Sequence, residues 1–271
     1  MTAAEPGEAA VVARLRAAGC VFAEEEALLL TDAAATSTEL AALVDRRVAG
    51  FPLEHLLGWV AFCGLRIAVD PGVFVPRRRS EVLVREAASV ARRGALVVDL
   101  CCGSGALGVA LAALLTPVEL HAADLDPAAV ACARRNAGAV GGRVYAGDLF
   151  EALPPSLRGR VDVLLANVPY VPSGGIAAMP REAREHEPRQ ALDGGPDGLD
   201  VARRVVDGAP AWLSPGGSLL FETSESQAPA AVDAVTASGL RARVVTDDEL
   251  GATVVVGSRV YRRTAASSRQ R

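Results

Sequence analysis

VVDLCCGSGALG, Val97 to Gly108, decides the fold. An apolar run carrying one aspartate enters a glycine-rich turn, and a helix-like apolar stretch follows at once. Gly103, Gly105 and Gly108 have the GxGxxG spacing of a turn that brings backbone N–H groups against an adenosine-containing ligand. Asp124 closes the next apolar run, where a carboxylate can accept hydrogen bonds from ribose hydroxyls. Strand, glycine turn, helix, strand and acid make one βαβ unit.

The same rhythm continues outward. Apolar patterning predicts strands near 96–100, 118–123, 143–146 and 161–166, and helices near 105–115 and 127–138. Residues 168–197, rich in Pro, Gly and charge, read as a long irregular stretch. A helix near 198–212, a strand at 217–222, a helix at 227–238 and strands near 241–246 and 253–261 follow. Alternating elements give a doubly wound parallel sheet. The last two strands are joined by too short a turn for a crossover, so the seventh is antiparallel.

Upstream, three amphipathic segments to about Leu57 read as helices, the third capped by Thr36 or Ser37 with Glu39 in its first turn. LRIAVDPGVFVP, with its turn at Asp70-Pro71-Gly72, reads as a hairpin connector. The expected organisation is a helical substrate-recognition domain over 1–60, a β-hairpin linker over 61–80, a catalytic domain over 81–264 and a flexible tail over 265–271.

Charge and cysteine content narrow the class. All 28 basic residues are arginine and the formal net charge is −4, which argues against sequence-independent binding to a phosphate backbone. The sharp basic cluster Arg77–Arg79 reads as a solvated linker or a phosphate contact. To Leu57 there are nine acidic residues against four arginines, so the helical domain is acidic. Leu100 to Val118 is uncharged for nineteen residues, but its glycines and Pro117 suit a strand, loop and buried helix better than a membrane span. Five cysteines, no CxxC and no basic, apolar leader predict reduced thiols and a cytoplasmic location. No metal site is expected from three scattered histidines.

Asp99 discriminates among adenosine ligands. A carboxylate before the loop would repel a pyrophosphate and suit a cationic ligand, so S-adenosylmethionine is favoured over NAD; a structural cap of the turn is the alternative role. Asp99, Asp124, Asp148 and Asn167 fall at the ends of strands one to four, where ligands bind in this architecture. LLANVPYVP, Leu164 to Pro172, therefore ends its apolar run with Asn167 on the rim of the cofactor cleft.

With these residues the chain resembles the class I S-adenosylmethionine-dependent methyltransferases. More narrowly, it is similar to the HemK-like protein-(glutamine-N5) methyltransferases, which act on peptide release factors and a ribosomal protein. Asn167-Val168-Pro169-Tyr170 matches that family's Asn-Pro-Pro-Tyr, and REHEPRQALDGGPDGLDVARRV (Arg184–Val205) matches the segment after it. PLEHLLGWVAFCGLRIAVDPGVFVPRRRSEVLV matches the region joining the helical domain to the catalytic one. The resemblance implies a Rossmann-like seven-stranded sheet with the last strand antiparallel, and a monomer. It implies that the turn Cys101, Cys102, Gly103, Ser104 and Gly105 holds the methionine part of the cofactor. Asp124 would hold the ribose, and Leu149 beside Asp148 the adenine. The Asn167 side chain and the Val168 carbonyl would accept the two hydrogens of the target amide, with Pro169 shaping the turn and Tyr170 packing the substrate. Three positions depart from the pattern: Cys101 stands for the first loop glycine, Val168 for the first proline, and PRRRSE for a PRPETE-like segment.

Competing readings are a nucleic-acid adenine-N6 methyltransferase with Tyr170 stacking on a flipped base, an NAD(P)-dependent oxidoreductase, and a cofactor-binding interaction module without catalysis. The first is disfavoured by the acidic helical domain and the lack of an extended basic face, which leave nucleic acid only an indirect partner.

Overall fold

The computed structural model describes residues 7–260. The expected tail at 265–271, the end of the catalytic segment at 264 and the last residue of the 253–261 strand lie outside them.

Four helices come first: α1 (Glu8–Ala17), α2 (Ala23–Ala33), α3 (Ser37–Val48) and α4 (Leu53–Leu57). Val11, Leu15, Ala27, Leu30 and Val44 bury their apolar stripes in one small core. Thr36 caps α3, its hydroxyl accepting from Glu39 N–H at 3.1 Å, while the Glu39 carboxylate reaches back to Ala35 N–H at 2.8 Å.

The hairpin is real but sits earlier than the sequence predicts. Strands β1 (Trp59–Phe62) and β2 (Leu65–Ala68) pair antiparallel, with Phe62 opposite Leu65. The turn is Cys63-Gly64, with φ of +49° and +74°. Two left-handed residues match the twist of the flanking strands, whereas Asp70-Pro71-Gly72 forms a separate turn with no strand after it. Residues 73–80 instead run as a strap toward α5 (Glu81–Val90), a helix with no counterpart in the sequence reading. Val82, Leu83, Val84 and Ala87 bury its apolar face.

The catalytic unit then alternates: β3 (Leu96–Leu100), α6 (Ala106–Leu115), β4 (Glu119–Asp124), α7 (Pro127–Gly138), β5 (Arg143–Ala146) and β6 (Val161–Ala166). After α8 (Arg181–His186) come α9 (Asp200–Trp212), β7 (Leu213–Thr223), α10 (Ala228–Ala237), β8 (Arg241–Asp247) and β9 (Ala252–Ser258). The sheet order is β5-β4-β3-β6-β7-β9-β8, and β9 is antiparallel to both neighbours. Side chains alternate across it. Val98, Leu100, Leu164 and Phe221 pack on the α9 and α10 face, while Val97, Val163 and Leu165 pack on the α5 and α6 face. The order reverses between β3 and β6, so a crevice opens outside their carboxyl ends.

Residues 168–197 are not an irregular loop. They hold short helical turns at Ser173–Ala178 and Arg189–Ala191 besides α8. Val171 N–H donates to Leu192 O at 3.0 Å and Gly194 N–H to Val171 O at 2.9 Å. The helical domain grips this segment. Arg47 donates to both oxygens of Glu26 (2.6 and 3.0 Å) and to Glu182 on α8 (2.9 Å), and Phe51 stacks on His186 at 4.1 Å.

Candidate active site

The crevice holds one cavity with two ends. At the cofactor end, the Cys101–Ser104 turn, Asp124, Asp148 and Leu149 line it. Gly103 adopts φ +55°, and a Cβ there would meet nothing within 4 Å, so the backbone faces open cavity. Its N–H donates to Asp124 Oδ2 at 2.8 Å, while Asp124 Oδ1 accepts from Asp126 N–H at 2.9 Å. These bonds fix the carboxylate at the tip of β4, in the lining of the cavity. Burial pushes its pKa up despite both bonds. Ser104 Oγ is buried without a partner among the described residues, a polar atom left at the start of α6. Asp148 pairs with Arg204 at 2.7 Å, and Leu149 turns the chain with φ +46°. The open Gly103 turn, the Asp124 carboxylate, the unpartnered Ser104 hydroxyl and the apolar Leu149 side chain make a lining that suits S-adenosylmethionine.

Asp99 does not line this cavity. It lies one residue inside β3 on the α6 face, fully buried, with Oδ2 accepting from Gly108 N–H at 2.9 Å and Oδ1 without a partner. Its role is the structural one, beneath the helix start and outside the cavity lining, so it does not select against a pyrophosphate there. Burial pushes its pKa up to about 7, against the pull of the Gly108 N–H. The unfolded state therefore releases this proton near the ordinary value of 3.8 and the folded state near 7. The proton-linked stability is complete below pH about 4 and is lost as pH rises to about 7. That shift corresponds to about 4 kcal/mol, with the pull of the Gly108 N–H already included. Asp99→Asn is thus expected to match wild type at pH 4 and to be about 2–4 kcal/mol more stable at pH 8, read from urea midpoints.

Cys101 adopts φ +52°, the left-handed backbone that glycine takes freely. A β-carbon there costs about 1–2 kcal/mol, and the extra chain entropy of an unfolded glycine offsets about 0.5–1. Because the Cys101 side chain also packs on the core, Cys101→Gly is expected to change stability by no more than about 1 kcal/mol, checked by thermal unfolding. Burial pushes the thiols of Cys101 and Cys102 well above their ordinary range, so neither is a ready nucleophile or metal ligand. Among the described residues no group of three His, Cys, Asp or Glu side chains is placed to hold a metal ion.

At the acceptor end stand Asn167, Val168, Pro169 and Tyr170, directly after β6. Asn167 Nδ2 lies 3.4 Å from Ser80 Oγ. No described residue donates to Asn167 Oδ1 or to the Val168 carbonyl. The Val168 side chain is buried in the core beneath. Tyr170 Oη donates to Glu222 at 2.7 Å and lies 2.6 Å from Arg79 Nη2. Gln227 Nε2 donates to the Tyr170 and Asp197 carbonyls, both at 2.8 Å. Gly198 has φ +81°, and a Cβ there would lie 2.2 Å from the Gln227 amide.

Within the Arg77–Arg79 cluster only Arg78 is exposed, and its two neighbours are neither solvated nor free for a phosphate. Arg77 donates twice to Glu187 (2.7 and 2.6 Å), and Arg79 donates to Glu222 at 2.8 Å. Both carboxylates are about 1% exposed, so the strap is clamped across the cavity mouth by two charges that need partners. Arg79, Ser80, Glu222, Gln227 and Arg204 are the residues that the sequence reading missed. Glu222 lies one residue inside the end of β7, as Asp99 does in β3, and a lone carboxylate within the apolar run LLFET is the signal that could have found it.

Known proteins resemble this chain in sequence and in fold. The "Methyltransferase small domain" family model matches residues 64–183. A Geobacter sulfurreducens protein named release factor glutamine methyltransferase is 41% identical over 227 residues, 82% of this chain and 79% of that one. A Streptomyces pristinaespiralis 4-amino-L-phenylalanine/4-methylamino-L-phenylalanine methyltransferase is 39% identical over 191 residues, 68% of this chain and 65% of that one. Among solved structures, a Pyrococcus furiosus methyltransferase superposes with a TM-score of 0.56 at 16% identity, over 73% of this chain and 90% of that one, and it shares the fold. The chain belongs to the release factor glutamine methyltransferase family of S-adenosylmethionine-dependent enzymes.

Proposed function

We propose that this protein transfers a methyl group from S-adenosylmethionine to the side-chain amide nitrogen of a glutamine in a peptide chain release factor. The observation that carries the reading is the pair of donor-free acceptors, Asn167 Oδ1 and Val168 O, in the cavity that the Gly103 turn also lines. The alternating sheet, the family and the clamped strap agree with it.

When bound, the cofactor supplies an electrophilic methyl group and a neutral thioether leaving group. The chain's residues supply orientation. A glutamine amide nitrogen is a poor nucleophile because its lone pair is delocalised into the carbonyl. Asn167 Oδ1 and the Val168 carbonyl accept its two hydrogens, which selects a planar NH₂ group and pushes electron density onto nitrogen. Held in this way, the nitrogen faces the cofactor end, and most of the acceleration is positioning. Asp124 and the Gly103 turn hold the cofactor's ribose and methionine parts, and the Leu149 wall receives its base. No strong base is needed before transfer, because the amide proton departs once nitrogen has gained the methyl group.

The test supplies labelled S-adenosylmethionine with purified release factors, ribosomal proteins, ribosomal RNA and 4-amino-L-phenylalanine in separate arms. Label at one glutamine of a release factor supports the proposal. Label confined to RNA, or to the aromatic amine, moves the acceptor to that class and overturns it.

A further inference from the structure

An asparagine amide has almost the same shape whichever way round it sits, so packing does not decide which of its ends faces an acceptor. Hydrogen-bond polarity can decide it, and here it does. Glu222, about 1% exposed, takes Arg79 Nε (2.8 Å) and Tyr170 Oη (2.7 Å) on Oε1, and Ser80 Oγ (2.6 Å) on Oε2. Arg79, Tyr170 and Ser80 all donate to it, so it stands in this network as an acceptor only. Ser80 has one hydroxyl hydrogen, and Glu222 takes it. Toward Asn167 the Ser80 oxygen therefore offers only lone pairs, so the Asn167 atom facing it must be the NH₂ group. The 3.4 Å separation is long, as catalytic contacts are before substrate aligns them. Oδ1 is left pointing at the acceptor.

We infer that Ser80 and Glu222 are positioning residues, which set the direction of the Glu222–Ser80–Asn167 chain and so present the oxygen, not the NH₂, of Asn167 to the substrate nitrogen. The inference rests on the reading of Asn167 Oδ1 as an acceptor for that nitrogen's hydrogen.

The direction can be reversed without changing shape. In Glu222→Gln the amide oxygen must occupy the Oε1 position, where two donors converge, which puts its NH₂ against Ser80. Ser80 then accepts, its hydrogen swings to Asn167, and Asn167 turns its own NH₂ into the acceptor site. Two donors now face each other there, and kcat is expected to fall by about 100-fold, the effect of losing one preorganised hydrogen bond. Ser80→Ala removes the enforcement altogether. Both amide orientations become available and kcat falls only by about two- to fivefold, the fraction correctly oriented.

The double variant Ser80→Ala/Glu222→Gln decides the matter. It is expected to recover most of the activity lost in Glu222→Gln and to return to the level of Ser80→Ala. A merely structural network would make the double variant as slow as Glu222→Gln or slower, and that result overturns the proposal. Dissociation of S-adenosylhomocysteine should stay within about twofold in all three. A readout independent of any acceptor is the Asn167 side-chain NH₂ signal by nitrogen-15 NMR. Ser80→Ala should shift one of its protons upfield, and Glu222→Gln should move both to a new, solvent-exchanging position. Unchanged Asn167 signals in both variants overturn the inference even if wild type methylates a release factor. Shifted signals uphold the geometry even if the acceptor proves to be of another class.

Discussion

Asn167→Ala is expected to lower kcat by about 10²–10³-fold, equivalent to about 2.7–4 kcal/mol of transition-state stabilisation. The side chain is only partly buried, so truncation opens little cavity and leaves no core polar group stranded except the Ser80 oxygen. Stability should therefore change by no more than about 1 kcal/mol. The two quantities separate catalysis from folding: rate falls, thermal midpoint holds. Affinity for S-adenosylhomocysteine should stay within about threefold, because the Gly103 turn and Asp124 are untouched. Single-turnover transfer to a release factor measures the first, and titration the second. A drop below about tenfold would mean that the Val168 carbonyl alone can orient the amide, and the two-acceptor mechanism would fail.

Much of this site was legible because it obeys a rule that operates locally. Strands 96–100 and 161–166 appear where the apolar runs put them, since central strands of a parallel sheet buried on both faces leave continuous apolar stretches. The edge strand 143–146 appears at its expected place with no residue fully buried. Asp124, Asp148 and Asn167 follow the ends of such runs, and the structure brings all three to one cavity. Asp99 breaks the pattern because it is inside the strand. One position decides which face a strand residue points to, and Asp99 shares the α6 face with Val97. The hairpin was misplaced for a related reason. Asp-Pro-Gly is the stronger turn signal, but a hairpin also needs a partner strand after the turn. Residues 73–76 spend their hydrogen bonds elsewhere, Val75 N–H donating to Glu187 at 3.2 Å.

The clamps on the strap had no local signature. Arg77 meets Glu187 and Arg79 meets Glu222 across more than a hundred residues of chain. Nothing near RRR distinguishes a solvated cluster from one that neutralises two buried carboxylates. The departure from a PRPETE-like segment nevertheless has a visible consequence. Arg79 lies beside Tyr170 and ion-pairs with the carboxylate that orders the acceptor end. A cation at this position fixes Glu222 as an acceptor of hydrogen bonds.

Arg47→Met is expected to destabilise the fold by about 3–5 kcal/mol, the cost of leaving a buried charge without its partner. Glu26 is 7% exposed, and among the described residues both of its carboxylate oxygens take their hydrogen bonds from Arg47. Methionine fills the space of the arginine stem but offers no donor. The same substitution unties Glu182, and with it the hold of the helical domain on α8. Exposed pairs such as Arg181–Glu185 make the contrast, since solvent and salt screen them. Burial, not ion-pair count, sets the expected size. The pair itself need not be net stabilising, because ordering and drying two charges costs nearly what their attraction returns. Arg47→Met/Glu26→Leu should therefore recover to within about 1–2 kcal/mol of wild type, which separates a stranded charge from a lost bond. Urea unfolding of the three proteins measures this. A single variant less than about 1 kcal/mol down would show that Glu26 reaches water when Arg47 leaves, and that the two domains are held by their apolar contacts instead.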